Sequence, residues 1–163
     1  MSVLPIVIWP DDRLSQVCTP VGEEDFEQLV RDMFDTMYGA MGRGLAAPQI
    51  GVMRRLFVMD AGWKQGDPTP EAFLDPVITV REPRTRVEEE GCLSLPGLMV
   101  PVKRPVALSP AWRDARGDMH MRDFDGFEAR CIQHEIDHLD GRVTPDHLGP
   151  EDRAAMLAGY VTR

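Results

Sequence analysis

The sequence is short of cysteine, of long apolar runs and of positive charge, and each shortage excludes something. Cys18, Cys92 and Cys131 are odd in number and too few for a disulfide framework. They point to a cytoplasmic chain with reduced thiols, unless one of them serves chemistry. No apolar run approaches the length of a membrane span. Met1 to Ile8 is apolar but has no basic leader and runs straight into Pro10-Asp11-Asp12, so a secretory signal is not expected. With 18 basic against 27 acidic residues the net charge is -9, which speaks against an anionic membrane or sequence-specific nucleic-acid binding. Repeats and low-complexity tracts are also missing. At 163 residues, one domain over positions 1–163 and a monomer are the expectation.

The periodicity predicts few elements. From Glu24 to Met41, apolar residues from Phe26 through Met41 recur at three and four and make one helical stripe, ended by Gly42 and Gly44. Strands are expected over 55–60, over 72–86 with a break at Pro83, over 101–108 and over 119–123, the last two joined by a turn near 115–118. A second helix starts near Gly126, with Asp125 and Glu128 spaced as a capping box and Gly141 placed as a C-terminal cap. A short helix over 150–160 closes the chain. Strands mixed with two long helices give an α+β fold.

The sharpest chemical signal is His134-Glu135-Ile136-Asp137-His138, an H-E-x-x-H pattern in the second helix. Histidines at i and i+4 project from one face and can hold one metal ion between them. Glu135, beside the first of them, is positioned to take a proton from an attacking water. A catalytic site of this kind takes three protein ligands and keeps one position open. Cys131 lies on the same helix, but at 1.5 Å per residue it sits about 7.5 Å along the axis from the level of residue 136, too far for a metal–sulfur bond of about 2.3 Å. Cys92, in Glu90-Gly91-Cys92-Leu93-Ser94, is the better candidate, although spacing alone leaves the ordinary buried cysteine an open alternative.

Three segments resemble the signature motifs of peptide deformylases: Gly44-Leu45-Ala46-Ala47-Pro48-Gln49, Glu90-Gly91-Cys92-Leu93-Ser94 and Gln133-His134-Glu135-Ile136-Asp137-His138. Their order and spacing agree, Leu4 to Val7 is similar to the family's N-terminal strand, and the likeness runs to about His147. The resemblance implies small mixed or antiparallel sheets packed around a central helix carrying H-E-x-x-H. It implies that Cys92, His134 and His138 bind one divalent ion. That ion would be ferrous iron in the cell, with zinc, nickel or cobalt as substitutes, since one thiolate and two imidazoles suit any of them. Glu135 would act as general base and then acid, with Gln49 and the Leu93 N–H steadying the oxyanion. Gly44 and Gly91 would let an extended substrate pair with the cleft walls. The reaction implied is removal of the formyl group from formyl-methionine at the start of nascent polypeptides, at the ribosome.

The match departs at Arg43, where relatives carry Ile or Val. This side chain would lie at the pocket for the substrate's first residue, and Glu88 comes near the same place. Either both stems snorkel to water, or the pocket is more polar and the substrate preference altered. Two other readings compete. H-E-x-x-H also marks metallopeptidases, for which His147 would be the downstream ligand, and a non-catalytic protein could hold a structural metal. The middle cysteine motif argues against the first; Glu135 and Gln49 argue against the second.

Overall fold

The apolar stripe folds as helix α1, Glu27–Gly39, in the computed structural model, which describes residues 2–160. It starts three residues later than the pattern predicts because the Asp25 carboxylate accepts from the Glu27 N–H at 2.9 Å and sets the first turn there. At its other end the left-handed residue is Met41 (φ 58°), not a glycine, with the Gly42 N–H bonding back to the Met37 carbonyl at 2.9 Å.

The chain then builds β1 (Gly44–Ala46), β2 (Leu56–Met59), β3 (Glu71–Arg81), β4 (Thr85–Cys92), β5 (Leu95–Pro105), β6 (Ala107–Arg113), β7 (Met119–Met121) and β8 (Phe124–Asp125). A six-stranded antiparallel sheet runs β1-β2-β3-β6-β7, with β8 also paired to β6, while β4 and β5 form a separate hairpin. The break expected at Pro83 separates β3 from β4. The strand expected over 101–108 is instead the end of β5 and the start of β6. The chain leaves the hairpin at Val106, after Pro105, which has no N–H to continue the ladder. Leu4 to Val7 is not a strand; isolated bonds such as Val7 N–H to the Gln49 carbonyl (2.7 Å) tie it down.

Helix α2, Gly126–Leu139, carries H-E-x-x-H as expected. Its capping box does not form. Asp125 is held extended by pairing with Ala107, and its side chain makes no cap bond. Gly141 does end the helix, with φ 73°, and a Cβ there would lie 2.8 Å from the Ser15 backbone. Helix α3, Pro150–Ala158, follows.

The six-stranded sheet lies between α1 and α2, and the period-2 pleat decides which residue meets which helix. Leu56 and Val58 of β2 join Val30, Met33 and Met37 of α1 in one cluster. Phe57 and Met59 turn the other way, to Ile132, Ile136 and Leu139 of α2. All four β2 residues are fully buried. Beneath α2 the Phe57 and Phe73 rings stack with centroids 4.5 Å apart, and Trp112 tilts against Phe73 at 4.6 Å. The β4–β5 hairpin covers the other side of α2, so its metal-motif face looks into a cleft between the free edges of β1 and β4. No helix among the described residues is long and apolar enough to cross a membrane.

Candidate metal centre

Two segments far apart in the chain bring Cys92, His134 and His138 together. Cys92 ends β4, and the histidines lie one turn apart on α2, their rings 5.1 Å apart at 68°. The three candidate ligand atoms are all within 4.8 Å of one another, and Cys92 Sγ is 3.3 Å from His138 Nε2. Cys131 is not in the group. It is buried, 3.9 Å from the Arg43 carbonyl, and burial together with the Glu135 charge pushes its thiol well above its ordinary value. His147 is bonded to Asp137 at 2.6 Å and is not one of the clustered ligands, so it supplies no third peptidase ligand.

Burial works against a thiolate at Cys92, but His138 and His134 beside the sulfur outweigh it and bring the thiol down to about 5. Burial likewise opposes an imidazolium at His134, yet its bonds to Cys92 and Glu90 push it well above the ordinary histidine value. The same proximity that favours thiolate and imidazolium here would serve a divalent cation placed among them. The donor set therefore fits an ion: one readily ionised thiolate, two imidazoles and a mouth open to the cleft.

The orientation of these ligands comes from charged residues that the motif reading passed over. His134 Nδ1 lies 2.8 Å from Glu90 Oε1, which turns Nε2 toward the cluster. Glu90 is in turn gripped by Arg104 through Nε (2.6 Å) and Nη2 (2.8 Å) and by Arg130 Nη1 (2.6 Å). Arg104 also donates to Asp137 at 2.9 Å, and Asp137 meets His147. Part of this was open to a reader of the sequence, because residues 90 and 92 share a strand face. The arginine partners come from other strands and leave no local trace.

Glu135 is buried beside the cluster, and its Oε2 has no hydrogen-bond partner among the described residues. Burial raises its carboxyl above the usual range, against the pull of His134 and His138. A free, desolvated carboxylate oxygen in that position is the arrangement a general base needs. Gly44 allows this packing, since a Cβ on it would lie 2.5 Å from Glu135 Oε1 and 2.8 Å from Cys131 Sγ. Gly91 is less constrained, with only the flexible Met99 Sδ at 3.2 Å. Gln49, buried in a tight turn, accepts from the Ala46 N–H through Oε1 (2.9 Å). This turns Nε2 toward Ser94 Oγ (3.1 Å) and Cys92 Sγ (3.6 Å). Leu93 sits in the two-residue turn from β4 to β5, at the cleft. Arg43 and Glu88 both line the cavity, together with Phe127 and Arg130.

An antiparallel α+β fold around a helix bearing paired histidines, an adjacent buried carboxylate and a thiolate from a hairpin defines a mononuclear metallohydrolase. The family model for polypeptide deformylases matches residues 3–154. A peptide deformylase of Afipia carboxidovorans is 42% identical over 162 residues, covering 98% of this chain and 95% of that protein. One of Zymomonas mobilis is 38% identical over 163 residues, covering 96% and 92%. Among solved structures, the peptide deformylase of Legionella pneumophila is 37% identical with a TM-score of 0.88, covering 96% of this chain and 92% of that one. The enzyme of Ehrlichia chaffeensis in complex with actinonin is 36% identical with a TM-score of 0.90, covering 97% and 95%. The chain belongs to the polypeptide deformylase family, and is thus a metal-dependent hydrolase of formylated peptides.

Proposed function

We propose that this protein, one catalytic domain over 1–163, removes the formyl group from formyl-methionine at the start of nascent chains through Cys92, His134, His138, Glu135, Gln49 and Leu93. Cys92, His134 and His138 would hold a single divalent ion, ferrous iron in the cell. When bound, the ion supplies Lewis-acid polarisation of water and of the formyl oxygen. The extended peptide lies between the β1 edge at Gly44 and the β4 edge at Gly91, its main chain pairing with both. Glu135 takes a proton from the attacking water as the new C–O bond forms at the formyl carbon. The Gln49 Nε2–H and the Leu93 N–H face the oxygen on which negative charge collects. Glu135 then passes its proton to the amide nitrogen, the C–N bond breaks, and formate and a free amine leave. The enzyme works as a monomer in the cytoplasm, on chains emerging from the ribosome.

The observation that carries this reading is the buried Glu135 carboxylate with a free oxygen beside the cysteine–histidine cluster. Glu135→Gln should keep the metal, measured by elemental analysis, and lose formate release by about 10²- to 10⁴-fold, because a carboxamide cannot accept the proton. Near-normal release from that variant would remove Glu135 from the mechanism.

A further inference from the structure

The cavity at the cluster has a volume of about 600 Å³ and continues past the metal centre along one face of α2. The formyl carbon must lie against Glu135 and the cysteine–histidine cluster. The first side chain of the substrate is only three bonds away. It therefore falls against the α2 residues one and two turns before His134, namely Cys131, Arg130 and Phe127, and the residues facing them, Arg43 just before β1 and Glu88 of β4. An apolar pocket is what a methionine side chain needs, and this wall is mostly charged.

Those charges are not equivalent. Arg130 is buried and its donors are taken: Glu88 at 3.2 Å, Glu90 at 2.6 Å, the Val102 carbonyl at 3.0 Å and the Arg86 carbonyl at 2.9 Å. Glu88 is half-exposed and pairs with both Arg130 and Arg86, the latter at 3.5 Å. Glu90 is closed within its own network. Arg43 differs from all of these. Its guanidinium carbon rests 4.5 Å over the Phe127 ring, and among the described residues it pairs with no carboxylate. A cation resting on a half-exposed ring is held weakly compared with a bidentate bond to a carboxylate.

We propose that Arg43 is a specificity-determining residue: it moves from Phe127 onto a carboxylate in the substrate's first side chain, so that formylated peptides beginning with Glu or Asp are accepted alongside those beginning with formyl-methionine. This rests on the deformylase reading and names a substrate class for the same site. Lys64, which also lines the cavity and rests 5.7 Å over Trp63, adds positive potential at the mouth. The pair with Arg43 forms in the bound complex and persists through the reaction, so its effect belongs mainly in KM.

The test is kcat/KM for formate release by metal-loaded wild type, Arg43→Ile and Arg43→Gln on formyl-Met, formyl-Glu and formyl-Gln tripeptides. Both variants should lower the formyl-Glu to formyl-Met ratio by about tenfold or more, equivalent to about 1.4 kcal/mol. The loss should lie in KM, and raised salt should shrink the wild-type preference for formyl-Glu over formyl-Gln. A ratio that stays constant across the three proteins, with formate still released, overturns the role of Arg43 alone. Absence of release from every formylated peptide by metal-loaded wild type overturns the deformylase reading and this inference with it.

Discussion

Helix α2 is gripped on two sides by different physics. Toward the six-stranded sheet it presents Ala129, Ile132, Ile136 and Leu139 to stacked aromatic rings. Toward the β4–β5 hairpin it presents Arg130, His134 and Asp137 to Glu90 and Arg104, side chains of which Arg104 is 4% and Glu90 6% exposed. The apolar side is graded, because each methylene contributes a little and the loss of one leaves the others in place. The charged side is closer to all-or-none. Once one member of a buried network is removed, its partners are left desolvated and uncompensated. The difference matches what each side does. The first gives α2 a stable seat, and the second sets the direction of an imidazole to within a hydrogen bond.

The largest effect should come from breaking the charged side. Glu90→Ala removes the bidentate partner of buried Arg104 and one partner of Arg130, leaving them Asp137 and Glu88 respectively, and is expected to cost about 3–5 kcal/mol in denaturant unfolding. It should also weaken metal affinity by about 10- to 100-fold, measured by competition with a chelator, because His134 loses the partner that orients it. This penalty has a pH signature. Although burial favours the neutral acid, Arg104 and His134 hold the folded Glu90 carboxyl below its usual value of 4.5. A carboxyl depressed by folding adds stability that is fully present above that value and is lost as pH falls toward the folded-state pKa. The gap between wild type and Glu90→Ala should therefore be widest near neutrality and narrow below about pH 4.5. A gap that is constant with pH would mean that the network acts through packing alone.

Leu139→Ala tests the apolar side. Leu139 is fully buried, so about 2–5 kcal/mol should be lost. Metal affinity and formate release per folded molecule should stay at wild-type values, and the loss should not change with pH. If this variant also released the metal, the two sides would not be separable. The smallest effect should be at Arg31, whose pair with Glu27 at 3.4 Å is solvent-exposed on α1. Arg31→Ala should move stability by no more than about 0.5 kcal/mol and leave the site untouched, which sets the background for the other two variants.

Whatever depends on short-range spacing could be read before any fold was known. Helix α2, its two histidines on one face and the carboxylate beside them follow from the 3.6-residue period. The stripe of α1 and the stop at Gly141 are equally local. Local rules also misled where a longer-range contact competed. The Asp125–Glu128 box loses to strand pairing with Ala107, and the strand read over 101–108 is divided because the chain changes sheets at Val106. Cys92 stood between the two cases. The position of a strand end against a helix 42 residues later is no property of its own segment; local reading made it only the better candidate, and the family resemblance settled the choice.

Local sequence was thus enough to place paired histidines and an acid on one helix, while the cysteine at the end of β4 and the glutamine were singled out through the family resemblance. Tertiary structure alone decided how they are held and what surrounds them. Glu90 meets Arg104 across 14 residues and Arg130 across 40, and Arg104 meets Asp137 across 33. Arg43 rests on Phe127 because the β1 edge and the first turn of α2 face each other across the cleft. The physical reason is range. Backbone hydrogen bonding imposes a period that shows within a few residues, whereas a buried charge takes its partner from whichever strand the sheet order brings alongside.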